Sequence, residues 1–129
     1  MNREIMPSTI APPAANYAHA VLIEHAEKTL HISGQVAALP DGSVPDDVAD
    51  QAAVIWGNIA AILGEAEMNL NDIVSITTYV VVDFLARLPE VMAARDQALV
   101  AHRAASTLVT VPALARPAWK MEVAVIAAR

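Results

Sequence analysis

The stretch Asp72–Val82, DIVSITTYVVV, decides how the rest of the chain is read. It is dense in β-branched side chains, which fit a pleated, packed surface better than a helix. Alternation puts Val74, Ile76, Thr78, Val80 and Val82 on one face. Ile73, Ser75, Thr77, Tyr79 and Val81 take the other, which is nearly as apolar. A strand buried on one side only shows a polar second face. The stretch is therefore expected to be a strand covered on both sides, by helices on one and by another subunit on the other.

Outward from this strand, the pattern changes to helical spacing. A helix is predicted over Pro89–Ala101, with an extra turn from Phe84. Leu88, Val91, Met92, Arg95 and Leu99 form its stripe. Arg95 is expected to lay its methylenes on the core and keep its charge in water. Two strands follow, Ser106–Pro112 and Trp119–Ala127, with Pro112 and Pro117 bracketing the loop between them. Upstream, a longer helix is expected from Ser43 as cap to near Met68, with Pro45 by its first turn. Asp46 and Asp47 suit the positive end of its dipole. Its apolar face reads Ala49, Ala52, Ala53, Trp56, Ile59, Ala60 and Leu63. Pro40-Asp41-Gly42 marks a turn. Before it come two strands, Val21–His25 and Thr29–Ala37, the latter with Leu30, Ile32 and Val36 on one face and Gly34 between the last two. Residues 1–18 are read as irregular because of Pro7, Pro12 and Pro13. The order is β-β-α-β-α-β-β in one domain, 1–129. It describes a two-layer α+β sandwich: a mixed sheet with two helices on one face and a second face left for a partner.

Charge and composition narrow the function classes. Lys plus Arg number 8 and Asp plus Glu 14, a net charge of −6. An acidic chain without a basic run is a poor match for phosphate backbones or anionic membranes, so neither nucleic acid nor membrane is an expected partner. Cysteine is absent, which excludes disulfides, thiolate catalysis and Cys-ligated zinc. His19, His25, His31 and His102 show no metal-ligand spacing, and no glycine-rich phosphate loop appears, so no metal or cofactor is expected. The absence of a signal-peptide pattern and of any run of ~18 apolar residues makes the cytoplasm the expected location.

Short pieces along nearly the whole chain resemble the RidA-like (YjgF/YER057c/UK114) family, in order and at matching spacing. They are Ala11-Pro12 with Tyr17, His31-Ile32-Ser33-Gly34-Gln35, Pro40-Asp41-Gly42 with Gln51 and Asn58-Ile59, Asn71-Asp72-Ile73-Val74 with Thr77-Thr78-Tyr79-Val80, and Met121-Glu122-Val123 with Ile126-Ala127. The resemblance implies a chorismate-mutase-like fold, a homotrimer and small-molecule clefts between subunits. It also implies a hydrolase chemistry, the deamination of reactive enamines and imines such as 2-aminoacrylate. A non-catalytic ligand-binding trimer and an RNA-directed ribonuclease or translation inhibitor are the alternatives, the last opposed by the charge.

By position, the resemblance carries a catalytic role to Glu122 and substrate-placing roles to Tyr17 and Ser33. The family reads Pro-Ala-Arg-Ser/Thr before its fifth strand, and that arginine holds the substrate carboxylate. A guanidinium suits the task because its planar fork matches a carboxylate bidentately. Here the stretch reads Arg103-Ala104-Ala105-Ser106-Thr107, so Ala105 stands in the arginine's place. Arg103 is either a replacement reaching the same cleft or a solvated loop arginine, with Arg116 a weaker claimant. His102 is either a wall or base of the same pocket or a surface or structural histidine. Glu122 shares its strand face with Ala124 and Ile126, a setting suited to general acid or base work, or else it pairs with Lys120 or Arg116. Asn16, in place of the usual proline, and Glu67, where a helix-ending glycine is common, are further departures.

Overall fold

A computed structural model describes residues 1–129. Its strands are β1 (Asn2–Ile5), β2 (Ala20–Ile23), β3 (Thr29–Gln35), β4 (Ile73–Val81), β5 (Ala105–Val111) and β6 (Met121–Ala128). Its α-helices are α1 (Val48–Glu65) and α2 (Leu88–Leu99). β3, β6, β4 and β5 lie side by side in that order as one sheet, and β1 and β2 pair separately. The β4–β5 pair is parallel and the other pairs antiparallel. A parallel neighbour needs a crossover, and α2 supplies it. The sheet is thus mixed, with two helices packed on one of its faces, as the residue pattern predicted.

β4 is an inner strand. Ile76, Thr78 and Val80 are buried beneath the helices, whereas Ser75, Thr77 and Tyr79 are half-buried on the helix-free face. Met121, Val123, Val125 and Ala127 of β6 join the same core as Ile55, Ile59 and Leu63 of α1. The face of α1 is rotated from the expected one. Gln51 and Ile55 are inside, and Ala53 and Ala60 are exposed. Alanine is small enough for either side, so alanine spacing alone did not fix the rotation. Gln51 is tolerated in the core because its polar atoms are matched. Its amide donates to Pro45 O and Ala118 O at 2.8 and 2.9 Å, and its carbonyl accepts from Lys120 N at 3.0 Å.

The helix cap is Asp47, not Ser43. The Asp47 carboxylate accepts from Ala49 N at 3.0 Å and Asp50 N at 3.4 Å. Ser43 instead closes the preceding turn, its N–H and hydroxyl donating to Asp41 Oδ1 at 2.9 and 2.6 Å. The helix stops at Glu65, earlier than expected, in a Schellman arrangement. Glu67 N donates to Gly64 O at 3.0 Å and Met68 N to Leu63 O at 2.8 Å. Glu67 takes φ +57° there, the left-handed conformation that glycine adopts most easily.

Three further expectations are corrected. Residues 2–5 are not irregular: they pair with β2 across a long proline-bearing loop. Arg95 does not keep its charge in water. It is 6% exposed, with Nε donating to Asp96 Oδ1 at 3.0 Å, while Nη2 lies 2.9 Å from the same oxygen without hydrogen-bond alignment. The β3–β6 register shifts between Ile32 and Gln35, so Gly34 leaves the face of Ile32. The predicted extra turn before α2 is present as a 3₁₀ helix over Val82–Arg87, kinked at Phe84.

Candidate functional site

Glu122 lies opposite Tyr79 of β4, on the sheet face without helices. Gly34 of β3 is beneath it. A Cβ at position 34 would stand 2.2 Å from Glu122 Oε2, 2.6 Å from Cδ and 2.9 Å from Cγ. The register shift in β3 turns this glycine toward Glu122, and its missing side chain is the space the glutamate occupies. Ser33 is adjacent and exposed, its carbonyl accepting from Gln35 Nε2 at 3.0 Å. Glu122 makes no ion pair. Lys120 pairs with Asp46 at 3.1 Å instead, and Arg116 stacks over Trp119 at 5.2 Å. β6 is an inner strand, so Glu122 neither sits at the sheet edge nor pairs with Lys120 or Arg116.

A second group forms at another end of the sheet. Ala105 opens β5 opposite Ser75. Ala18 makes a parallel bridge to Ala105, and Ala18 N donates to Ala104 O at 3.0 Å. That bridge sets Tyr17 beside the start of β5. The Tyr17 hydroxyl accepts from Ala14 N at 3.3 Å, and its ring meets His19 edge-on at 6.4 Å between centroids. His19 Nε2 is in turn 2.7 Å from Ala11 O, so the loop is held folded by its own polar groups. Arg103 is neither free nor fully solvated. Its Nη2 is 2.6 Å from Glu4 Oε2 and its Nε 3.3 Å from Glu4 Oε1, a side-on two-point pair. His102 is structural: Nε2 lies 2.7 Å from Ile73 O, tying the turn after α2 to the start of β4.

The two groups stand apart within one chain. Glu122 is in register with Tyr79 and Val109, whereas Ala105 is in register with Ser75. Four residues along a strand and two strands across separate them by about 16 Å. A shallow depression of about 230 Å³, lined by His31, Ser75, Thr77, Ala124 and Ile126 among others, opens on the strands between them. The Ala105 methyl adds almost no reach across that backbone separation, so within one chain a small ligand held on Glu122 does not touch it. One chain therefore offers a carboxylate with Ser33 at one place, and an aromatic hydroxyl with a paired guanidinium at another. No three His, Asp or Glu side chains converge closely enough to hold a metal ion, and no helix is long and apolar enough to cross a membrane.

Two contributions escaped the sequence reading. Gly34 looked like part of a strand pattern, and only the register shift shows that it seats Glu122. Glu4 lay in residues read as irregular, and four residues of strand give too short a pattern to detect.

Residues 8–129 match the family described as Endoribonuclease L-PSP. A RutC family protein encoded in the leuC 5′ region of Leuconostoc mesenteroides subsp. cremoris is 38% identical over 82 residues, a match spanning 61% of this chain and 61% of that protein. Among solved structures, YyfB of Yersinia pestis, a Rid family protein of unknown function, is 31% identical with a TM-score of 0.88, covering 99% of this chain and 98% of that one. TdcF of E. coli, crystallised with bound serine, is 27% identical with a TM-score of 0.69, covering 98% and 99%. The family match over nearly the whole chain and the close superposition on YyfB agree with the motifs read from the sequence: the chain belongs to the Rid (YjgF/YER057c/UK114) family, the one matched under the description Endoribonuclease L-PSP.

Proposed function

We propose that the protein is a single-domain homotrimer of the cytoplasm whose inter-subunit clefts hydrolyse a labile C–N bond, of the imine or enamine type, in a small molecule. The observation that carries this reading is the separation of about 16 Å between Glu122 and Ala105 on one uncovered sheet face. Groups that far apart serve one small ligand only if Glu122 and Ser33 come from one subunit and Tyr17, Arg103 and Ala105 from the next. The half-apolar helix-free face gives such subunits a surface to bury. TdcF, which holds serine, is a relative with a ligand of the right size.

In the reaction as proposed, water adds to the imine carbon. Glu122 accepts the water proton and passes it to the nitrogen, and the carbinolamine collapses to a carbonyl and ammonia. Tyr17 and Ser33 orient water and substrate by hydrogen bonds. The reaction uses no cofactor. At Ala105 a methyl stands where a guanidinium would grip an α-carboxylate. Burying a carboxylate without that partner costs about 2–5 kcal/mol, so turnover of 2-aminoacrylate is expected to be poor and a substrate without that group is favoured.

The test is keto-acid release from 2-aminoacrylate generated in situ, comparing the protein with its Ala105→Arg variant. An inert native protein with an active variant supports the cleft and the role of Glu122. A native protein already as fast as an arginine-bearing relative refutes the role given to Ala105. Inactivity of both favours a second reading, a trimer that binds a small ligand without turnover; TdcF was crystallised with bound serine. An RNA-directed activity is disfavoured by the net charge of −6, and salt-sensitive RNA binding by the purified protein would reverse that judgement.

A further inference from the structure

Most cations of this chain have identifiable structural partners. Arg87 is held by Asp47 and Glu90, Arg95 is buried against Asp96, Arg116 covers Trp119, and Arg129 donates to Glu67 O. Lys28 and Lys120 pair with Glu67 and Asp46. Arg3 alternates with Glu4 on β1 and so faces the other way. Arg103 is the guanidinium beside Tyr17 and Ala105, and its partner is Glu4.

That partner is delivered by backbone pairing. Glu4 stands opposite Val21 and Ile5 opposite Ala20, just beyond the Ala18 bridge to Ala105. β1 is fastened at its start, with Asn2 Nδ2 donating to Ala128 O at 2.7 Å and Glu24 N to Met1 O at 3.0 Å. The Glu4 and Arg103 side chains remain 35% and 39% exposed. Glu4 can therefore leave Arg103 by a rotamer change while its strand stays in place. Its two oxygens sit on the guanidinium as a ligand carboxylate would.

We propose that Glu4 is an internal competitor for Arg103, so that a carboxylate ligand reaches this guanidinium only by displacing the Glu4 side chain. The proposal rests on the cleft reading above and adds to it a selectivity device. Ligands bearing a carboxylate meet a filled cation site, and neutral ligands meet no such competition.

The probe is pyruvate, titrated calorimetrically into the intact protein and its Glu4→Gln, Glu4→Ala, Arg103→Gln and Ala105→Arg variants, with pyruvamide as the neutral control. Loss of a partly exposed two-point pair should tighten pyruvate about threefold to tenfold. Both Glu4 variants should show that gain, pyruvamide should show none, and the double variant Glu4→Gln/Arg103→Gln should lose it. Thermal melts of each variant confirm that the fold is retained, and two different Glu4 substitutions keep the result independent of either one. If Ala105→Arg binds pyruvate and the Glu4 variants match the native protein, the cleft stands and the competitor role is wrong. If no variant binds pyruvate, Ala105→Arg included, the cleft reading fails and takes this proposal with it.

Discussion

Val100→Gly is expected to stabilise the protein. α2 runs into a tight turn in which His102 N donates to Leu99 O at 2.9 Å. Val100, the first central residue, has φ 55° and ψ −110°. Those angles are those of a type II′ turn, whose first central position is normally glycine. A β-branched residue at positive φ stores strain, of order 1–3 kcal/mol. Valine offers little in return, because it is 78% exposed. Glycine removes the strain but gives the unfolded chain more freedom, an opposing effect of about 0.4–1 kcal/mol. The net gain is roughly 0.5–2 kcal/mol, or several degrees in Tm for a domain of this size. Urea unfolding at one fixed protein concentration measures it, since oligomers shift with concentration. Val100→Ala is the control: it keeps a Cβ at the strained position and should recover much less. If Val100→Gly unfolds at the same urea concentration as Val100→Ala, or a lower one, the strain assigned to this turn is absent.

Glu67→Gly should likewise raise the urea midpoint, since Glu67 holds the left-handed position of the α1 Schellman turn and its pair with Lys28 is largely exposed. Gly34→Ala should leave the fold in place but push the Glu122 side chain aside by about 1 Å or more, and a misplacement of that order in a catalytic group lowers turnover about a hundredfold; unchanged activity in a folded Gly34→Ala protein would separate Glu122 from the chemistry. Asp47 gives a pH test: the Arg87 guanidinium bonded to it holds its carboxyl below the ordinary 3.8. The stability this confers is present above 3.8 and is lost as pH falls through the lower folded value. Asp47→Asn keeps a capping oxygen but not the charge, so it should be less stable than the native protein near neutrality, and the gap should close in acid.

The fold was legible where local pattern and tertiary role agree. Ile73–Val81 carries apolar or β-branched side chains on both faces, so its run announced a strand, and the helical stripe of α2 named Val91, Arg95 and Leu99 correctly. Legibility failed where a distant partner decides. Nothing within Asn2–Ile5 marks it as a strand, because its pairing comes from Ala20–Ile23. Ser43 and Asp47 are both good caps by type; Asp47 also accepts from Arg87 Nη2 at 2.9 Å, a partner 40 residues away. Arg95 has an ordinary place in an amphipathic stripe, and its burial depends on how closely β5 and Asp96 approach.

The site divides along the same line. The candidates Glu122, Tyr17, Ser33 and Ala105 come from motif, and motif carries residue identity without distance. The sheet order supplies the distance: β6 and β5 are separated by β4, and Ala105 lies at the opposite end of the register from Val109, which faces Glu122 through Tyr79. On the proposed reading that offset, rather than any residue taken alone, calls for a second copy of the chain in a joint site. It also explains why replacing one arginine by Ala105 need not abolish the cleft. On the proposed reading the carboxylate and its glycine seat face position 105 of a neighbouring copy, so a change at 105 leaves the seat of Glu122 intact. A trimer mixed from native and Glu122→Gln/Ala105→Arg chains makes this testable. If the clefts are shared as proposed, mixed trimers contain some clefts with both a native Glu122 and an arginine at 105, others with neither, and keto-acid release should follow the statistical fraction of the former. Mixtures no more active than either parent would place the whole site within a single subunit.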